Sequence, residues 1–210
     1  MFTQLFSVSA VPSEWKHAVI TPVFKKGAAG SACNYRPISL TCVPSKIMER
    51  VIAVQMYEHF KANSLLSSAQ HGFCRGRSTC TNLLESINDY TLSIQYRHSV
   101  TVAYVDFSKA FDGVSHEKLI VRLASLWNMW KLARVAASIS QCAHTPCILE
   151  WGYSLSSVIK LLSGVVQGSG IGPLLFLSYI SELAEILKRA EVIIKLFDND
   201  VKLYKIVNDC

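Results

Sequence analysis

Four aspartates stand where a chain could do metal chemistry. Asp106 closes the β-branched and aromatic run of residues 100–107, and Asp112 follows one short turn later. Asp198 and Asp200 flank Asn199 between two further apolar runs, 193–197 and 201–206. Strands hold side chains at fixed positions, and ionised carboxylate oxygens suit a hard cation such as magnesium. If the strand ending at Asp106 lies beside the hairpin carrying Asp200, two or three carboxylates converge, as two-metal phosphoryl transfer requires. The other reading is that aspartates sit in turns because they hydrogen-bond their own backbone there. Spacing alone leaves both open.

The surrounding elements must position these groups. Residues 15–24 read as a short strand ending in the basic turn Lys25-Lys26-Gly27. Ser45 is placed to cap a helix with an apolar face of Ile47, Val51, Val54 and Tyr57, and Met48 and Met56 read as core. A second helix starts near Ser78-Thr79 and is expected to bury Leu83, Leu84, Ile87 and Ile94. Ser115 caps a third, through Leu119, Ile120 and Leu123. A glycine-rich turn then feeds a buried helix from Pro173, and residues 193–206 form a hairpin with Asp198-Asn199-Asp200 as its turn. The layout is α/β or α+β with a mostly antiparallel sheet.

Composition narrows the classes. The chain has 210 residues, half of them apolar and 17% charged, which excludes a disordered chain and suits one domain or slightly more. Its +6 formal charge permits a polyanionic partner without requiring one. Lys25, Lys26, Arg36, Arg75 and Arg77 fall in segments rich in glycine or proline, read as loops whose cations could grip phosphates. The seven cysteines are scattered, without a CxxC pair or a zinc spacing, and read as free thiols in a reducing compartment. Leu161–Ile180 is uncharged and long enough to span a bilayer, but four glycines and Pro173 make it a poor span, so no membrane association is expected.

The motifs also stand in a known order. Tyr104-Val105-Asp106-Phe107-Ser108-Lys109-Ala110-Phe111-Asp112, with Val114-Ser115-His116, closely resembles the first palm motif of reverse transcriptases from non-LTR, LINE-type (jockey-like) retrotransposons. The resemblance takes in Trp15 through Gly27, Asn34 through Leu40, Gln70-His71-Gly72-Phe73 and Gly76-Arg77-Ser78-Thr79. It continues through Ser163-Gly164-Val165, Gln167-Gly168-Ser169, Gly172 through Phe176, and the hairpin Lys195 through Tyr204.

This resemblance implies a right-hand polymerase fragment: a fingers-like region over 1–97, with the reverse transcriptase domain from about 22, and an incomplete palm-like region over 98–210 whose thumb is absent. It implies RNA-directed DNA synthesis on an RNA template and DNA primer, with deoxynucleoside triphosphates as substrates and two Mg2+ ions held by Asp106 and Asp200. Phe107 would contribute its carbonyl beside the metals. Phe111 would block a ribose 2′-hydroxyl, and Gln167 with Gly168 would pack on the templating pair. Lys25, Arg36 and Arg77 would lie near template or triphosphate. A nuclear or cytoplasmic location is implied if the chain is expressed, with no clear import run to choose between them.

Departures from the family pattern matter as much. The family hairpin reads aromatic-Ala-Asp-Asp, whereas Phe197 is followed here by Asp198-Asn199-Asp200, so Asn199 replaces a metal-binding aspartate. Val166 stands where proline is usual and Cys74 where arginine is usual. Between Leu126 and Glu150 the resemblance vanishes. The codons forced by Trp127-Asn128-Met129-Trp130 yield a family-like Gly-Ile/Thr-Cys-Gly when read from the second base, which points to two compensating frameshifts. A divergent native helix carrying Trp127 and Trp130 is the alternative. The expectation is an impaired polymerase domain of a mobile element, or else a catalytically dead relic that at most binds RNA.

Overall fold

The computed structural model describes residues 4–5, 11–126, 135, 138, 144–145 and 159–208. In chain order its main elements are β1 (Ala18–Phe24), β2 (Tyr35–Thr41), α1 (Val43–Ala62), α2 (Thr79–Gln95), β3 (His98–Asp106) and α3 (His116–Leu126). They continue with β4 (His144–Thr145), β5 (Ile159–Lys160), α4 (Gly172–Lys188), β6 (Ile193–Phe197) and β7 (Asp200–Asn208). All strand pairs within the sheets are antiparallel. The chain forms two compact units, residues 1–59 with 111–176, and residues 60–110 with 177–210.

In the first unit β1 and β2 make a two-stranded ribbon in which Phe24 faces Tyr35 and Pro22 faces Pro37. The sequence reading left Arg36 in a loop; it lies in β2. In a two-stranded ribbon both strands are edges, so the N–H that Pro37 lacks need not be a ladder bond. The turn between them is tied by the Lys25 N–H on the Asn34 carbonyl (2.8 Å) and by the Tyr35 hydroxyl on the Ala29 carbonyl (2.8 Å).

Helix α1 begins two residues before Ser45, and the Ser45 hydroxyl donates to Glu49 Oε1 (3.2 Å) instead of capping the helix. Its buried stripe is Met48, Ile52, Met56 and Phe60, with Tyr57, while Ile47, Val51 and Val54 are exposed. The expected core positions Met48 and Met56 and the face residue Tyr57 are buried, while Ile47, Val51 and Val54 lie about one residue, roughly 100°, off the buried stripe. Two apolar stripes run along this helix, and the bulkier one faces inward. Helix α3 follows its sequence signals: the Lys118 N–H reaches Ser115 Oγ (3.4 Å), and Leu119 and Leu123 are fully buried. The stretch from Leu126 to Glu150, read as out of frame, lies for the most part outside the described residues.

The second unit holds a three-stranded sheet in the order β3-β7-β6. Ala184 of α4 packs with Ile194, Leu196 and Val201 on one face of it. Ser78 caps α2, its Oγ accepting from the Thr81 N–H while Thr81 Oγ1 accepts from the Ser78 N–H. This helix inverts the sequence expectation. Leu83, Leu84, Ile87 and Ile94 are 52–71% exposed, whereas Asn82, Ser86 and Ser93 are buried.

The cause is the sheet face beneath the helix, which is polar. The Lys202 ammonium donates to Ser86 Oγ (2.9 Å) and Asn82 Oδ1 (3.4 Å), and Lys195 pairs with Glu85. The Tyr204 hydroxyl donates to Asp89. Buried polar groups left unpaired cost more than exposed leucines do, so the helix turns its polar stripe inward. The uncharged stretch 161–180 divides into a loop and the start of α4, and among the described residues no helix is long and apolar enough to cross a membrane.

Candidate active site

The second unit brings two of the expected carboxylates together. Asp106 ends β3, and the ladder register sets it directly opposite Asp200, the first residue of β7. Opposed residues in an antiparallel pair lie about 4.5–5.5 Å apart between Cα atoms. Phe197 also pairs with Asp200, so the connecting turn is Asp198-Asn199 alone, one residue shorter than the sequence suggested. Two-residue hairpin loops require a positive φ at their first residue, because that twist matches the flanking strands. Asp198 supplies it with φ +58°.

The turn carries an electrostatic cost. Asp198 Oδ1 is buried without a partner. Burial first, and the neighbouring Asp200 charge second, push its carboxyl up to about 6. Asn199 donates its side-chain N–H to Asp106 Oδ1 at 3.3 Å. Residues two apart share a sheet face, so Asp200, Lys202 and Tyr204 lie on one face together with their ladder partners Asp106, Tyr104 and Val102. Burial, then Lys195, lowers the Lys202 pKa.

This donor set fits a divalent cation in part. Asp106 and Asp200 offer hard oxygens at one sheet end, as magnesium needs when water and phosphate complete its shell. Asn199 presents an N–H where the resemblance expects a carboxylate, so that position is one charge short, and the second aspartate of the hairpin stands instead at Asp198, with a carboxyl oxygen buried in the turn. Among the described residues no group of three or more His, Cys, Asp or Glu side chains is arranged to enclose a metal.

Other expected residues lie in the first unit. Phe111 stacks on Phe176 with ring centroids 4.3 Å apart and planes at 15°. Gln167 donates its side-chain N–H to Asp112 Oδ1 (3.0 Å), and its carbonyl accepts from the Ser39 N–H (2.7 Å). Gly168 follows with φ +100°, and a Cβ there would stand 2.6 Å from the Ser39 carbonyl oxygen. Lys25 is exposed at the ribbon end and Arg36 is exposed in β2, opposite Val23. In the second unit, Phe107 is exposed just beyond β3. Arg77 is committed to backbone, donating to the carbonyls of Ser68 and Gln70. It also lines a 360 Å³ concavity with Ser68, Glu85, Lys188, Ile194 and Lys195.

Sequence reading missed Glu49. It is fully buried, and its Oε2 accepts from the Ser169 hydroxyl and the Gly170 N–H, both at 2.6 Å. The signal was present: a carboxylate in the stripe Met48, Ile52, Met56, four residues after Ser45. It also gave Gln70 and Gly72 no task, although both touch the hairpin turn.

Known proteins carry the same pattern. Residues 23–204 match the family described as reverse transcriptase (RNA-dependent DNA polymerase). The chain is 28% identical over 184 residues to a probable RNA-directed DNA polymerase from transposon BS of Drosophila melanogaster, covering 87% of this chain and 20% of that protein. It is 27% identical to the RNA-directed DNA polymerase from mobile element jockey of the same fly, with the same coverage. It is 28% identical to the Pol polyprotein of the type-1 element R2 of Popillia japonica, over 82% of this chain and 24% of that protein. The chain thus spans about a fifth of the length of the curated relatives it matches first.

Among solved structures, apo telomerase of Candida tropicalis superposes with a TM-score of 0.65 at 12% identity, covering 93% of this chain and 45% of that one. Telomerase of Candida albicans, in complex with a fragment of telomeric RNA, gives 0.63 at 13% identity, with coverage of 95% and 40%. These likenesses give the fold, a right-hand polymerase. With a family match running from the β1–β2 ribbon to the Asp200 hairpin, the chain belongs to the reverse transcriptase family, and its relatives are the RNA-directed DNA polymerases of non-LTR mobile elements.

Proposed function

We propose that this chain is the fingers-and-palm portion of an RNA-directed DNA polymerase, with residues 1–97 fingers-like and 98–210 palm-like. The observation that carries the reading is the pairing of Asp106 with Asp200 at one end of a three-stranded sheet, beside a two-residue turn. Asp106 and Asp200 would hold Mg2+, which when bound offsets the charge of an incoming triphosphate and of the attacking primer oxygen. Phe107 adds a backbone carbonyl beside Asp106. Phe111, its ring fixed on Phe176, presents bulk against a ribose 2′-hydroxyl. Gln167 and Gly168, tied to Ser39 and Asp112, offer a surface to the templating pair. Lys25 and Arg36 contribute exposed cations for RNA or triphosphate, and Arg77 acts by holding the 68–70 loop.

One contact favours a second reading, a relic without catalysis that at most binds RNA. The Asn199 amide occupies Asp106 Oδ1 and lacks the charge of the carboxylate it replaces. The test is a graft. This hairpin, as it stands and as the Asp198→Ala/Asn199→Asp variant, is placed in the complete jockey polymerase, and Mg2+-dependent primer extension on RNA is measured. The hairpin with Asn199 is expected to be at least ~10³-fold slower, about 4 kcal/mol of transition-state stabilisation. Equal rates would show the amide to be competent. Loss of extension in both would place the defect in hairpin residues other than Asn199 and overturn the amide argument.

A further inference from the structure

The segment 69–72 runs along the free side of β6. The Leu196 N–H donates to the Ala69 carbonyl (2.8 Å), and the His71 N–H donates to the Leu196 carbonyl (2.8 Å). Gln70 and Leu196 thereby form a parallel bridge. Gln70 is 1% exposed and clamps two backbones: its Oε1 accepts from the Gly72 N–H (2.8 Å), and its side-chain N–H makes a long contact to the Asp198 carbonyl (3.5 Å). Gly72 abuts the turn itself. A Cβ at Gly72 would lie 2.2 Å from Asp198 N and 2.9 Å from Asp198 Cα. Both are backbone atoms, so no rotamer change relieves the clash.

We infer that Gln70 and Gly72 are positioning residues for the Asp198-Asn199 turn, and through it for the spacing of Asp200 and Asn199 from Asp106. A two-residue turn with a non-glycine residue at φ +58°, and with a buried, unpartnered Asp198 carboxyl oxygen, stores strain that the surrounding structure must hold. The 69–72 segment holds it by filling the space behind the turn. Its own place is fixed by Arg77 on the Ser68 and Gln70 carbonyls, and by His71, whose ring meets Thr81 Oγ1 (2.9 Å) and Glu85 (3.4 Å). The consequence for metal binding rests on the functional reading proposed above; the positioning itself does not.

The test uses the 210-residue chain and its Gly72→Ala and Gln70→Ala variants, with Gly30→Ala as the control because a Cβ there meets nothing within 4 Å. Backbone amide shifts and hydrogen exchange are recorded in chelator, and Mn2+ titrations follow by electron paramagnetic resonance. Both loop variants are expected to shift the amides of Asp198, Asn199 and Asp200 and speed their exchange, leaving Ser39 and Val23 as in the parent. Mn2+ affinity is expected to fall at least ~10-fold, the scale of losing a group that orients ligands. Unchanged turn amides in both variants would overturn the inference, as would displaced turn amides with undiminished Mn2+ affinity. If Gly72→Ala unfolds the chain, Gln70→Ala decides, since it removes the clamp without a clash. If the parent binds no Mn2+, the metal reading fails, and the chelator data alone decide the positioning.

Discussion

Each unit must hold one irregular loop that carries family residues, and the two do it by opposite physics. In the first, the turn after Gln167 is fixed by charge: buried Glu49 gathers the Ser169 hydroxyl and Gly170 N–H, and Ser169 Oγ then accepts from the N–H groups of Ile171 and Gly172 (both 3.3 Å) at the start of α4. In the second, the Asp198-Asn199 turn is fixed by shape: strand pairing on one side and the bare Cα of Gly72 on the other. A carboxylate suits the first loop because one of its oxygens accepts from both the Ser169 hydroxyl and the Gly170 N–H. It would be misplaced in the second, where Asp106, Asp198 and Asp200 already crowd one end of a sheet. On the proposed function this site admits a cation and stays anionic, and the groups that touch its turn, the Gln70 amide and the Gly72 backbone, are uncharged.

The largest effect that tests this contrast is at Glu49. Glu49→Ala leaves the buried Ser169 hydroxyl and the part-buried Gly170 N–H without their acceptor and is expected to cost about 3 kcal/mol in urea unfolding. Glu49→Gln keeps an acceptor oxygen and should cost about 1 kcal/mol. A loss below about 0.5 kcal/mol for the alanine variant, the scale of a neutral surface change, would mean that packing holds the turn and the contrast is wrong.

Asp198 sharpens the other side. Its carboxyl titrates at about 6 in the folded chain, against about 3.9 when unfolded. The folded state therefore holds the extra proton between those values, and the contribution of this group to stability falls as pH rises from about 4 to about 6. Allowing for solvent screening of a half-buried group, the loss is about 1–2 kcal/mol. Asp198→Asn should gain that amount at pH 7 in chelator and show no such decline. A wild-type-to-variant difference that stays constant from pH 4 to 7 would show that the turn bears no cost of burial.

The smallest effect is expected where a leucine invites the opposite guess. Leu84 is 66% exposed, so Leu84→Gln should stay within about 0.5 kcal/mol by thermal unfolding, whereas Ile52→Ala in the buried stripe of α1 should cost about 3 kcal/mol. A large loss at Leu84 would mean that the polar face of α2 is not its inner face.

Legibility followed the range of the forces. Ser78 and Ser115 were readable as helix starts because a cap acts within one turn of its own residue. The buried face of α2 was not, because Asn82 and Ser86 turn inward only in answer to Lys202, more than a hundred residues away. Met48, Met56 and Tyr57 of α1 were legible as core, but Ile47, Val51 and Val54 were misplaced because two apolar stripes compete, and local pattern does not say which is covered. β2 was missed because Pro37 cannot donate to a ladder, a defect that a two-stranded ribbon with free edges tolerates.

By itself, then, the sequence determined the order of the motifs, the ending of a strand at Asp106, the hairpin over 193–206, and the amide that stands at Asn199. Each depends on side-chain type and on periods of two or 3.6 residues, which a single chain displays directly. Only the tertiary structure decided that Asp106 faces Asp200, that Asn199 turns its N–H to Asp106, that Glu49 holds the glycine turn, and that Gly72 leaves room for Asp198. These are contacts between segments 93 to 126 residues apart, set by sheet register and by the volume left between backbones. No local period encodes either.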